Sequence, residues 1–193
     1  MSTARILAFA GSLRTGSFNK KLARVAADLA KEAGAQATFV DLRDFQLPLY
    51  DGDIEETQGL PEGAKQLKGL MREHDGFLIA SPEYNSSFTG ALKNAIDWVS
   101  RAEADDEPPL VAFKGKLAAI MSASPGALGG MRGLLHLRNV LGNIGVIVLP
   151  DQVTVPQAPK AFTPEGGLAD ETKRRQLQGM VETLVRMIVK LKA

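Results

Sequence analysis

Residues 6–19 read Ile6-Leu7-Ala8-Phe9-Ala10-Gly11-Ser12-Leu13-Arg14-Thr15-Gly16-Ser17-Phe18-Asn19. The first five are apolar without alternation, as a strand buried on both faces requires. The run stops at a turn of glycine and serine. An apolar stripe at helical spacing follows, formed by Leu22, Val25, Ala26, Leu29 and Ala33, and Gly34 supplies a C-cap signal. Strand, small-residue turn and helix in that order open a parallel α/β unit, since parallel strands need a covering crossover.

The same alternation continues along the chain. Further apolar runs are Phe77–Ala80, Leu117–Met121 and Val146–Leu149, and the mixed run Ala37–Leu42 suits an edge strand. Helical spacing recurs at Leu67, Leu70 and Met71, and again at Leu92, Ala95, Ile96 and Val99, where Thr89 is the expected N-cap. A fourth helix is expected from about Gly130 to Leu141, ended by Gly142, and a last one through Leu177, Met180, Val181, Leu184, Val185 and Ile188. Right-handed crossovers turn this pattern into an α/β flavodoxin-like sandwich. Its five-stranded parallel sheet has order 2-1-3-4-5 and carries helices on both faces.

Composition bounds the rest. The 193 residues, 45% hydrophobic and 23% charged, are expected to form a single domain over 1–193. No apolar run nears the ~20 residues of a membrane helix, and the N-terminal stretch has no signal-peptide anatomy, so a cytoplasmic location is expected. The absence of cysteine excludes disulfides and thiolate metal sites, and His74 and His136 alone make a metal centre unexpected. With 23 basic and 22 acidic residues, nothing asks for nucleic acid. The clusters Lys20, Lys21, Arg24 and Lys173, Arg174, Arg175 read as solvated helix faces. The connections 43–61 and 100–114 are long enough to be functional, mobile or simple surface excursions. The apolar Leu47-Pro48-Leu49-Tyr50 patch is expected to be buried against something, a second subunit among the options.

Ligands of open α/β sheets bind beyond the carboxyl ends of the strands. Three loops meet there. Gly11–Asn19 has the composition of a phosphate cup: glycines, Ser12, Ser17 and Asn19 as neutral donors, and Arg14 as the one cation. It lacks the lysine of a Walker loop and the GxGxxG of a dinucleotide fold, and it also reads as a turn with a helix cap. Ser81–Gly90 combines a rigid proline turn with Tyr84, Phe88 and Asn85, which suits a flat heteroaromatic ring or, again, a capping loop. Glu83 could serve as a base there, but no partner is evident. Ser122–Gly130 is made of small residues that let a ligand approach the backbone, and Arg132 and His136 share the helix face that follows. Trp98 reads as core or interface. One phosphate loop and two ring loops suggest a mononucleotide, with flavin mononucleotide (FMN) the best fit.

These motifs resemble the NADPH-dependent FMN reductase family, whose flavodoxin-like members include soluble quinone and chromate reductases. Its signature is matched by Gly11-Ser12-Leu13-Arg14-x-Gly16-Ser17-x-Asn19, Ser81-Pro82-Glu83-Tyr84-Asn85-x-Ser87, Gly90-x-Leu92-Lys93-Asn94-Ala95-Ile96-Asp97-Trp98 and Ser124-Pro125-Gly126. The resemblance implies that Ser12, Arg14, Ser17 and Asn19 hold the FMN phosphate. It further implies that Pro82, Glu83, Tyr84 and Asn85 border the flavin ring, and that Ser122, Pro125 and Gly126 line its other edge. Bound FMN would carry the chemistry without a catalytic side chain, with NAD(P)H as co-substrate. The small-molecule acceptor would be a quinone, chromate, an azo compound or free flavin. A homodimer or homotetramer is also implied. A flavodoxin-type electron carrier would share fold and ligand, but a net charge of +1 does not suit its docking by negative surface.

Overall fold

The computed structural model describes residues 3–192. In chain order the elements are β1 (Arg5–Ala10), α1 (Phe18–Glu32), β2 (Gln36–Asp41), a 3-10 turn (Leu42–Phe45), α2 (Gly52–Gln58) and α3 (Glu62–Glu73). Then come β3 (Gly76–Ala80), the two-residue strands β4 (Glu83–Tyr84) and β5 (Ser87–Phe88), α4 (Gly90–Val99) and β6 (Leu117–Ala123). The chain ends with α5 (Met131–Asn143), β7 (Ile147–Val155), a 3-10 turn (Ala158–Lys160) and α6 (Glu171–Leu191). The five long strands form one parallel sheet of order β2-β1-β3-β6-β7, the expected 2-1-3-4-5 arrangement.

Alternate residues of the central strands feed two cores. Ile6, Ala8 and Ala10 of β1 pack under α1 and α6 with Leu22, Ala26, Leu177 and Leu184. Leu7 and Phe9 face the other way, toward α3, α4 and α5 with Leu67, Leu92 and Leu137. Both faces of β1, β3 and β6 are therefore dry, which is why their sequences run apolar without a break.

Several boundaries differ from the expectation. β6 continues through Ser122 and Ala123, so these belong to the strand and not to the loop after it. β7 runs on to Val155 through a bulge, because Ala118 and Ile120 pair with Val148 and Gln152. The Arg138 guanidinium donates to the carbonyls of Leu149 (2.6 Å) and Pro150 (3.2 Å) at that bulge. Gly142 lies inside α5, and Gly145 at φ 85° is the residue that turns the chain out.

Two buried lysines hold the chain together, one of them from a cluster expected to be solvated. Lys20 is buried rather than solvated and pairs with Asp41 at 2.6 Å. Lys68, equally buried, donates to Glu107 Oε2 (2.7 Å) and to the Arg101 carbonyl (2.6 Å), and so ties down the 100–114 connection.

The 43–61 connection folds onto α4 of its own chain. The Pro48 carbonyl accepts from Trp98 Nε1 (2.8 Å) and Asn94 Nδ2 (2.8 Å), and the Tyr50 ring meets Trp98 edge-on at 5.0 Å. No second subunit is needed to cover Leu47 and Tyr50, while Pro48 and Leu49 stay exposed, Leu49 at 81%.

Candidate functional site

The carboxyl ends of β1, β3 and β6 are laced together at the edge of the sheet. Gly11 N–H donates to the Ala80 carbonyl (2.9 Å), and Ser81 N–H to that of Met121 (2.8 Å). Thr89 caps α4 through Leu92 N–H and donates its hydroxyl to the Gly11 carbonyl (2.5 Å). A side chain at Gly11 would strike Leu92, so glycine is required there for close approach rather than for backbone conformation.

Above this edge lies a cleft. Ser12, Arg14, Ser17 and Asn19 line one end of it, Pro82, Glu83 and Tyr84 one wall, and Pro125 the other. These eight expected residues are brought together. Asn85, Ser122 and Gly126 do not line the cleft. Ser122 is fully buried beneath Gly130, which sits at φ 90° and has no room for a Cβ above the Ser122 hydroxyl. Asn85 forms the turn beside the cleft. Phe18, Ala123 and Ser124 line it without having been singled out as site residues. Ala123 and Ser124 fall within the small-residue segment Ser122–Gly130, where no side-chain role pointed to them individually. Phe18 stacks on Phe162 at 6.1 Å, a partner 144 positions on that no local pattern reveals.

The end of the cleft lined by Ser12, Arg14, Ser17 and Asn19 is built on the start of α1. Ser17 is its N-cap but makes no side-chain cap bond, and the first turn holds no acidic residue. The first N–H groups of α1 thus lack a side-chain acceptor while carrying the positive end of the helix dipole. Ser12 and Ser17 are nearly buried beside them, and the Arg14 side chain is exposed at the rim. Arg43 reaches in from the turn after β2 and donates to Thr15 Oγ1 (2.7 Å), fixing the outer side of the loop. The Asn19 amide is engaged on both atoms: Nδ2 donates to the Ala123 carbonyl (2.8 Å), and Oδ1 accepts from Ala123 N–H (2.9 Å). Its side chain therefore clamps the end of β6 to α1.

The wall that carries Glu83 and Tyr84 is a hairpin. β4 and β5 pair antiparallel across Asn85 and Ser86, at φ 50° and 66°, the two positive values of a type I′ turn. Glu83 anchors this hairpin on α5. Its Oε2 accepts from the N–H groups of Arg132 (3.0 Å) and Gly133 (3.2 Å), and its Oε1 meets the Arg132 guanidinium at 2.5–2.8 Å. His136 joins Ser87 Oγ at 3.0 Å on the same helix face. Burial pushes the Glu83 carboxyl up, but bonds from Gly133 and Arg132 outweigh it and hold the group below its ordinary value. A carboxylate so engaged is a poor proton acceptor, so Glu83 is an anchor rather than a base.

A cup of unpaired N–H groups, hydroxyls and one arginine fits a phosphate dianion, and a cleft between a tyrosine-bearing hairpin and a proline loop fits a planar ring. Residues 4–160 match the family model of NADPH-dependent FMN reductases. The chain belongs to this family.

The reductase is 38% identical over 192 residues to a probable NADPH:quinone oxidoreductase of Oryza sativa subsp. japonica, covering 97% of this chain and 90% of that one. It is 35% identical to an NAD(P)H-dependent FMN reductase of Pseudomonas aeruginosa, covering 97% of both. Among solved structures it resembles the flavoenzyme NAD(P)H:(acceptor) oxidoreductase of Paracoccus denitrificans. There the TM-score is 0.80 at 32% identity, over 97% of this chain and 98% of that one. The family makes this an NAD(P)H-dependent flavin oxidoreductase with FMN as cofactor. No helix among the described residues is long and apolar enough to cross a membrane.

Proposed function

We propose that residues 1–193 act as one FMN-binding domain that takes electrons from NAD(P)H and delivers them to quinones. The observation that carries this reading is the start of α1, open to an anion beside Arg14 at one end of the cleft. Ser12, Ser17, Arg14 and the first N–H groups of α1 would hold the phosphate. Asn19 would keep the cup in register with β6. Pro82 and Tyr84 would flank the ring on one side, and Pro125 with the Ser124 segment on the other.

Bound FMN supplies the chemistry of hydride uptake and electron delivery. The chain contributes position, backbone N–H donors and a wall that keeps water from one side of the ring. Tyr84 is 55% exposed at the mouth, which leaves room for flat acceptors to enter where the nicotinamide has left. Chromate, azo compounds and free flavin are further oxidants within this reading.

We also propose a cytoplasmic homo-oligomer. Its support is the exposed apolar side of α5 and the preceding loop, Leu128, Met131 and Leu135, next to the cleft. The test of the function is direct. The purified protein is reconstituted with flavin, washed, denatured, and the released cofactor chromatographed. It is then assayed with NADPH and a soluble benzoquinone. Release of FMN and alternating-substrate kinetics are expected. Failure to retain FMN, or release of FAD alone, overturns the reading.

A further inference from the structure

A second cavity, of ≈ 200 Å³, lies beyond the end of β7 and has no part in the reading above. Its floor is apolar, made by Val155, Pro156, Ala161 and Leu168. Lys160 and Lys173 stand on its rim with Gln157 and Asp170. Lys160 is exposed, and Lys173 is half-buried with its ammonium on the neutral Gln176 Oε1 at 3.1 Å. Asp170 is the one carboxylate of the rim. Its Oδ1 is committed to the start of α6, accepting from the N–H groups of Thr172 (2.8 Å) and Lys173 (3.2 Å). The rim therefore carries a surplus of positive charge over a hydrophobic floor.

The cavity and the FMN cleft share a wall. Ser124 lines the cleft, its N–H donates to the Val155 carbonyl (3.1 Å), and its own carbonyl accepts from Ala158 N–H (3.0 Å). Ala123 of the cleft is the register partner of Val155 of the cavity, so these two lining residues sit on neighbouring strands, ~4.8 Å apart, and the sites adjoin there. A dinucleotide with one ring on the flavin can cross that wall with its other half.

We propose that this cavity takes the adenosine 2′-phosphate half of NADPH and gives the reductase its preference for NADPH over NADH. The inference rests on the function proposed above. The floor would receive the adenosine, and the two ammonium groups would bond the phosphate monoester. NADH carries a hydroxyl at that position and leaves both lysines in water, so discrimination follows from one charged group.

The experiment uses the FMN-loaded protein and the variants Lys160→Ala and Lys160→Ala/Lys173→Ala, which leave the cleft untouched. Calorimetry measures adenosine 2′,5′-bisphosphate, 5′-AMP and inorganic phosphate as ligands, and steady-state kinetics compare NADPH with NADH. The bisphosphate is expected to bind the wild type most tightly and to lose roughly 10- to 100-fold in the double variant. KM for NADPH should rise with it, while kcat and the NADH constants hold. The inference is overturned if 5′-AMP binds as well as the bisphosphate, or if both nicotinamides weaken equally. Equal binding of inorganic phosphate would overturn the adenosine assignment. Failure to bind FMN, or to oxidise either nicotinamide, would instead sink the function proposed above, and the calorimetric arm stays readable without turnover.

Discussion

Helices α1 and α5 both start at the carboxyl edge of the sheet, and the first N–H groups of each have no partner within the helix itself. At α5 the protein supplies its own anion, the Glu83 carboxylate carried in by the β4–β5 hairpin. At α1 no side chain caps the first turn and no acid stands in it. The same local electrostatics thus has two outcomes. Where the chain fills the position, the helix start holds a hairpin in place. Where it leaves the position open, the helix start is free for an anion, the flavin phosphate in the function proposed above.

The comparison breaks most sharply if the open end is filled. Ser17→Asp should place a carboxylate where α5 has Glu83, capping α1 and repelling phosphate. FMN affinity is expected to fall about 100- to 1000-fold while the cofactor-free protein melts no lower, as like charges cost several kcal/mol. Equilibrium dialysis and melting curves report the two effects. Unchanged FMN affinity would remove α1 from the phosphate site.

The reverse experiment empties the filled end. Glu83→Ala leaves two helix N–H groups and Arg132 without their acceptor, at an expected cost of about 2–3 kcal/mol. For a chain of this size that corresponds to a melting point roughly 4–12 °C lower. The ratio of FMN to riboflavin affinity should hold, because only the cup reads the phosphate. The pH dependence has a definite sign. A carboxyl held below its unfolded value stabilises the fold fully above about pH 4.3, and that contribution is lost as the pH falls through the lowered value. Glu83→Gln should therefore show a flatter loss of stability in acid than the wild type. Equal slopes would mean that the carboxylate is not the group that matters.

Arg14→Ala tests the cup without filling it. One charge-assisted bond is worth ~1.5–3 kcal/mol, so FMN should weaken roughly 10- to 150-fold. Riboflavin affinity and the cofactor-free melting point should hardly move. Equal losses for FMN and riboflavin would show that Arg14 acts through the loop or the ring.

The smallest effect lies in the hairpin turn. Ser86 holds φ 66°, a region that disfavours a side chain, so Ser86→Gly should stabilise by about 0.5–1 kcal/mol. A drop in the melting point would mean that the serine side chain earns its place.

The contrast between the two helix starts also marks what a sequence can disclose. The strand order was legible because β1, β3 and β6 are dry on both faces and leave unbroken apolar runs. The three cleft loops were legible because small residues cluster after those runs. What stayed hidden depends on partners distant in the chain. Glu83 and Arg132 stand 49 positions apart, so the plug at α5 has no local signature. Lys68 finds Glu107 39 positions away, and without that partner it reads as one more surface cation. The hairpin was missed because two-residue strands are too short for periodicity, and Asn85-Ser86 lacks the glycine usual in such a turn.

The bulge in β7 bears on a different hazard. β7 is an outer strand of the sheet, and an outer strand offers bare carbonyl and N–H groups to any other extended chain. Arg138 occupies the carbonyls of Leu149 and Pro150, and Pro150 has no N–H to give. The bulge thus removes part of the template on which a neighbouring molecule could add a strand and start an aggregate. Arg138→Ala should uncover it, and turbidity during refolding would rise. A variant that stays as clear as the wild type would show that the bulge alone protects the edge.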